Sequence, residues 1–205
     1  MDINTFPTKG NLIKSKNTLA LSKQGYDLLD KKRNILIREM MSLIEDAKLL
    51  QSQIASTYKK AYEQLQKANI VLGINKVEQI GYAIKEEESV KINIRSVMGV
   101  EIPMVSFEDN PLIPQYGFSR TNIALDEAYE QFEKVKKLTY KLAEVENAVF
   151  RLAINIKRTQ KRANALKNIL IPRYKLLTKN IQEALEEKER EEFTRLKVIK
   201  SRKIS

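Results

Sequence analysis

The reading of the fold turns on residues 128–184, AYEQFEKVKKLTYKLAEVENAVFRLAINIKRTQKRANALKNILIPRYKLLTKNIQEA. Taken every seventh residue, this stretch gives Ala128, Val135, Leu142, Val149, Ile156, Ala163, Leu170, Leu177 and Ala184, all apolar. The companion set is mixed: Gln131, Leu138, Val145, Leu152, Thr159, Leu166, Arg173, Asn180 and Glu187. A heptad kept up over this many turns marks a supercoiled helix with one buried seam. Thr121 or Asn122 is placed to cap its start, with Asp126 and Glu127 favourable in the first turn against the helix dipole. Glu186/Arg190 and Glu191/Arg195 are acid-before-base pairs four apart near the other end. The seam fades after Ala184, while helix-forming residues run on to about Lys200.

The N-terminal part repeats the pattern. One seam position takes Leu12, Leu19, Tyr26, Arg33, Met40, Ala47, Ile54 and Ala61, and the other Ser15, Ser22, Leu29, Leu36, Leu43, Leu50, Thr57 and Gln64. Beyond Ala61 the apolar set moves to Leu65, Ala68 and Leu72, a stutter. At about 1.5 Å per residue, the two helices would be on the order of 90 and 115 Å long. Each carries an apolar stripe that needs cover. A compact middle segment makes mutual antiparallel cover the simplest solution, with facing residue numbers adding to about 194. The expected fold is therefore mainly α: a long antiparallel two-helix coiled coil. Its first helix spans 8–72 and its second 122–200, with Leu36, Met40, Leu43, Leu50, Ile54, Leu142, Val149, Ile156 and Leu166 in the seam. In this register the last twenty or so residues overhang the start of the first helix. Pro172 should kink the second helix, close to the level of Gly25.

The middle segment, 73–121, holds Gly73, Gly81, Gly99, Gly117, Pro103, Pro111 and Pro114. Here the period becomes two: Val90, Ile92, Ile94, Met98, Val100, Ile102 and Met104 alternate, broken by Ser96. This predicts a β-hairpin over about 89–105 that turns near Ser96–Gly99. A short helix is expected over 75–86, and Glu108-Asp109-Asn110-Pro111 reads as a loop.

Composition excludes several chemistries. Among 205 residues there is no His and no Cys, so imidazole catalysis, thiol nucleophiles, disulfides and Cys/His zinc sites are impossible. Charge is +11, with both ends basic and the middle slightly acidic. No apolar run reaches the roughly 20 residues of a membrane span, and the N-terminus lacks the features of a signal peptide. The expectation is a cytoplasmic protein without direct membrane insertion. The acidic groups Glu86, Glu87, Glu88 and Glu183, Glu186, Glu187 read as solvated helix faces rather than metal ligands. The basic cluster Lys157, Arg158, Lys161 and Arg162 sits midway along a continuing seam. A DNA-reading basic region would normally precede a parallel zipper. Neither an enzyme nor a nucleic-acid binder is expected, and no cofactor. A free-standing coiled-coil scaffold and a basic nucleic-acid-binding coiled coil remain the alternatives.

Particular words in the chain carry more than periodicity does. Pro7-Thr8-Lys9-Gly10-Asn11-Leu12 and Leu19-Ala20-Leu21-Ser22-Lys23-Gln24-Gly25-Tyr26-Asp27-Leu28-Leu29 open it. Ser96-Val97-Met98-Gly99-Val100-Glu101-Ile102-Pro103 lies in the middle. Arg162-Ala163-Asn164-Ala165-Leu166, Ile171-Pro172-Arg173, Ile181-Gln182-Glu183 and Glu187-Lys188-Glu189-Arg190-Glu191-Glu192-Phe193-Thr194-Arg195-Leu196-Lys197 follow in order. Together they resemble the D subunit of the V-type and A-type rotary ATPases over nearly the whole chain. The family usually has a denser arginine run where this chain has Thr159-Gln160-Lys161.

That resemblance implies a non-catalytic rotor shaft at the membrane periphery, coupling ATP turnover to ion translocation. Its partners would be the ring of alternating A and B subunits, the F subunit of the stalk, and the adaptor (the C or d subunit) on the ion-carrying rotor ring. Contacts to the ring are assigned to Lys9, Lys14, Lys16, Arg190, Arg195, Lys197 and Lys200. Contacts to the F subunit or the adaptor are assigned to Leu65, Val90, Ile92, Ile94, Met98, Val100, Ile102, Tyr129 and Phe132.

Overall fold

The computed structural model describes residues 6–84, 90–107, 116–117 and 121–204, with side chains to 202. The expected loop at 108–111, the acidic run 86–88, residue 89 and Pro114 lie outside the described residues. Helix α1 (Lys9–Leu72) is followed by the short α2 (Ile74–Gly81), strands β1 (Lys91–Val97) and β2 (Val100–Ser106), and helix α3 (Ile123–Ala165). A π-helical turn, Leu166–Leu170, then leads into α4 (Ile171–Ile204). The fold is the antiparallel two-helix coiled coil that the heptads predict, with the hairpin in the middle of the chain. It divides into two compact units, Met1–Asn34 with Ile156–Ser205, and Ile35–Asn155.

In the first unit, Thr8 starts α1: its Oγ1 accepts from the Asn11 amide at 3.2 Å, satisfying a donor that has no partner within the helix. The α1 seam residues Leu12, Ser15, Leu19, Ser22, Tyr26, Leu29 and Arg33 are all buried or half-buried. Two of the buried hydroxyls bond to their own helix: Ser22 Oγ donates to the Thr18 carbonyl at 2.7 Å, and Thr178 Oγ1 to that of Tyr174 at 2.8 Å. Across the pair, the half-buried Arg33 guanidinium donates to Gln160 Oε1 at 2.7 Å and is held by Asp30 at 2.7 Å. A charged residue thus fits a seam position because both neighbours accept from it. Lys167 Nζ lies 5.6 Å from the centre of the Tyr26 ring.

The π turn resolves the conflict posed by Pro172. Proline has no amide hydrogen, and its ring strikes the carbonyl four residues back in a regular helix. Here Ile171 N–H bonds to the Leu166 carbonyl, five residues back, which widens the turn just before the ring. The wider turn holds one residue more, so the seam slides. Arg173, Asn180 and Glu187, expected in the second seam set, are exposed. Their places pass to Tyr174 and Ile181, one residue later, while Leu177 and Ala184 stay half-buried. Opposite the turn, a Cβ added at Gly25 would meet Leu166 Cδ1 at 3.7 Å, an ordinary contact. Gly25→Ala should therefore stabilise the protein by about 0.5–1 kcal/mol through helix propensity, read as a higher urea midpoint. An unchanged or lower midpoint would mean that the close approach at Gly25 is required.

In the second unit the seam is more apolar. Leu36, Ala61 and Ala68 of α1 and Leu152 of α3 have no exposed surface, and Ala128, Val135 and Ala148 are buried with them. Met40, Leu43, Leu50, Ile54, Leu142 and Val149 are half-buried. Tyr62 meets Phe132 edge to face at 5.5 Å, and Gln51 donates to Glu146 at 3.4 Å. Within each unit such facing pairs keep close to the expected register of about 194. At the end of α1, Ala68, Tyr116 and Leu125 form a small core joined by Leu72, Val77 and Ile80. Gly73, at φ 87, makes the turn into α2, a conformation that disfavours a side chain. The Asn122 carbonyl accepts the first α3 amide bond, from Leu125 at 2.8 Å.

The hairpin is shifted from its expected span, and its turn is Met98-Gly99, both at positive φ. Such a two-residue turn matches strand twist. It pairs Val97 with Val100 and Ile92 with Val105, so an even-numbered residue of β1 faces an odd-numbered one of β2. The even-numbered stripe therefore splits between two faces. Val100 and Ile102 are 3% and 7% exposed, whereas Ile92 and Ile94 are 70% and 66% exposed.

Candidate functional site

Two surfaces gather the residues singled out from the sequence. In the second unit, Leu65, Tyr129 and Phe132 line a groove of about 680 Å³ together with Tyr58, Val77 and Ile80. Tyr116 closes one part of it: the ring meets Tyr129 edge to face at 5.9 Å, and the hydroxyl donates to Asp126 Oδ1 at 2.6 Å. Burial first, then the hydrogen bond and the negative charge of Asp126, push the Tyr116 hydroxyl well above its ordinary value of 10.0. The phenol stays neutral and ties Tyr116 to α3. Sequence reasoning missed Tyr116, an aromatic beside Gly117 with no periodicity to flag it.

The hairpin is fastened to α3 along β2. Glu144 Oε2 accepts the Val105 amide at 3.0 Å, and Arg151 Nη1 donates to the Glu101 carbonyl at 3.2 Å. Phe107 packs on Tyr140 with ring centres 5.9 Å apart. Of the hairpin residues assigned to a partner, Ile92, Ile94 and Met98 are exposed and Val90 is half-buried. Val100 and Ile102 instead form the inner face. Spacing cannot show this, because which parity faces inward depends on the number of residues in the turn.

In the first unit, Lys9, Lys14, Lys16, Arg190, Arg195, Lys197 and Lys200 are all exposed. Lys9 pairs with Glu189 at 3.0 Å, which brings the start of α1 to the distal part of α4. Arg190 lies 3.6 Å from Glu187, three residues away, rather than pairing with Glu186. Every residue from Glu186 to Arg202 is exposed, including Phe193, Leu196 and Ile199. Those three apolar residues, three apart, were the available signal for a contact stripe and are absent from the basic set chosen by charge. Lys157, Arg158, Lys161 and Arg162 are exposed around the buried Thr159 and Ala163.

Among the described residues there is no cluster of three or more acidic residues placed to hold a metal ion. No helix there is long and apolar enough to cross a membrane.

Comparison with known proteins agrees with this architecture. A family model describing the ATP synthase D subunit matches residues 11–201. The V-type ATP synthase D subunit of Thermotoga neapolitana is 48% identical over 196 residues, covering 96% of this chain and 97% of that protein. The A-type ATP synthase D subunit of Methanobrevibacter smithii is 40% identical, covering 95% and 86%. That of Thermococcus sibiricus is 36% identical, covering 95% and 92%. With a heptad-built helix pair, a central hairpin and end-to-end similarity of this extent, the chain belongs to the family of ATP synthase D subunits.

Proposed function

We propose that this protein is the non-catalytic central-stalk subunit of a V-type or A-type rotary ATPase, transmitting torque between the nucleotide-binding ring and the ion-carrying rotor ring. The observation that supports it most is the exposed distal part of α4. A helix that keeps Phe193, Leu196 and Ile199 exposed among the described residues is suited to insertion into another assembly. Around those apolar residues, Arg190, Arg195, Lys197 and Lys200, with Lys9, Lys14 and Lys16, meet acidic loops of the ring formed by the A and B subunits. Solvated charges make individually weak contacts, which suits a part that turns past successive faces. At the other unit, the groove of Leu65, Tyr129 and Phe132 and the exposed Ile92, Ile94 and Met98 face the F subunit and the adaptor. The protein acts at the membrane periphery on the cytoplasmic side, without a cofactor of its own.

Deleting residues 184–205 tests this reading. ATP-driven rotation should weaken severalfold or be lost, while the F subunit remains bound, because the groove and hairpin are in the other unit. Rotation at full coupling after the deletion overturns the proposal.

A further inference from the structure

The hairpin has two edges, and they are treated differently. On β2 the outward backbone groups belong to Glu101, Pro103 and Val105. The Glu101 carbonyl takes Arg151, the Val105 amide takes Glu144, and Pro103 has no amide hydrogen to offer. In this register the outward groups of β1 belong to Ile92, Ile94 and Ser96, the partners of Val105, Pro103 and Glu101. No hydrogen bond reaches them among the described residues, and all three are exposed. A long unprotected edge is a template for another strand, and proteins normally blunt it. Among the described residues, the outward backbone groups of one edge are taken or missing at three places, and those of the other at none.

We infer that β1 accepts an added strand from a neighbouring subunit of the ATPase complex, one alternating β-branched apolar with acidic side chains. This rests on the reading of the hairpin as a stalk contact and specifies how that contact is made. The alternation follows from the two faces of β1. Ile92 and Ile94 lie on one face, where branched apolar neighbours bury them. Arg95 lies on the other with Lys91, and β1 carries no acid, so a carboxylate is the matching neighbour of Arg95. The same charges disfavour a second copy of this chain in the register centred on Asn93. Antiparallel pairing of two β1 strands about Asn93 sets Lys91 directly against Arg95 at both ends.

Residue-resolved amide exchange on the complex, purified through a tag on the full-length chain, tests the inference against the chain alone. The Ile92, Ile94 and Ser96 amides should exchange at least about 100-fold more slowly in the complex. Ile94→Pro removes the outward donor without touching the internal ladder, as Pro103 already does on β2, so the inner amides of Arg95 and Val97 should stay protected. It should weaken retention of the neighbouring subunit about tenfold or more, and Ile94→Ala, which keeps the amide, much less. Equal losses in the two variants overturn strand addition. So does a hairpin whose side chains become buried in the complex while the three amides stay fast, although the stalk contact itself then stands. A hairpin left wholly exposed in the complex defeats both readings. Protection already present in the chain alone at high concentration assigns the edge to a second copy and overturns the heterologous partner.

Discussion

Leu152→Ala is expected to lower the unfolding free energy of the isolated chain by about 2–5 kcal/mol, the range for deleting a fully buried leucine side chain. Leu152 and Leu36 are the largest side chains with no exposed surface, both in the unit formed by Ile35–Asn155. Phe150, two residues away on α3, is the control. It is larger but 65% exposed, and Phe150→Ala should change the urea midpoint by no more than about 0.5 kcal/mol equivalent. Similar losses at the two positions would mean that the seam does not run where the burial pattern puts it.

The second large effect belongs to Tyr116. Tyr116→Ala removes a buried ring from the core of Ala68 and Leu125 and should cost about 3–5 kcal/mol. Tyr116→Phe keeps the ring and loses only the bond to Asp126, so about 1–2 kcal/mol is expected. The two variants also differ from the parent in alkaline solution. Because the folded protein holds the phenolic proton more tightly than the unfolded chain, the contribution of Tyr116 is complete below pH 10 and falls as pH rises beyond it. Urea midpoints taken from neutral pH upward should show this alkaline loss in the parent and not in Tyr116→Phe. A loss of equal slope in both would assign it to other tyrosines or to lysines.

How far the sequence foretells the structure differs from element to element. The paired helices are legible because a seven-residue repeat has one geometric meaning over so many turns. All nine apolar positions from Ala128 to Ala184 are buried or half-buried. The slide of the seam at Leu166–Leu170 is only half legible. Arg173 and Asn180 are polar where the repeat asks for apolar residues, with Tyr174 and Ile181 next to them, but a proline alone does not say whether a helix bends or widens. The inner face of the hairpin is not legible, since a turn one residue longer would have exchanged Ile92 and Ile94 for their neighbours. The contact surfaces are partly legible. Charge picks out exposed basic residues, but charge is blind to Phe193, Leu196 and Tyr116, whose roles depend on what lies next to them in space.

The hydroxyls in the Met1–Asn34 and Ile156–Ser205 unit have a consequence of their own. Ser22 and Thr178 are content within their own half of the pair, so parting the two halves there orphans no hydrogen bond of theirs and surrenders little oily surface. That end should breathe, fraying and re-zipping many times while the leucine-lined portion stays shut. A helix pair of this kind can absorb a disturbance in that unit as a brief local loosening.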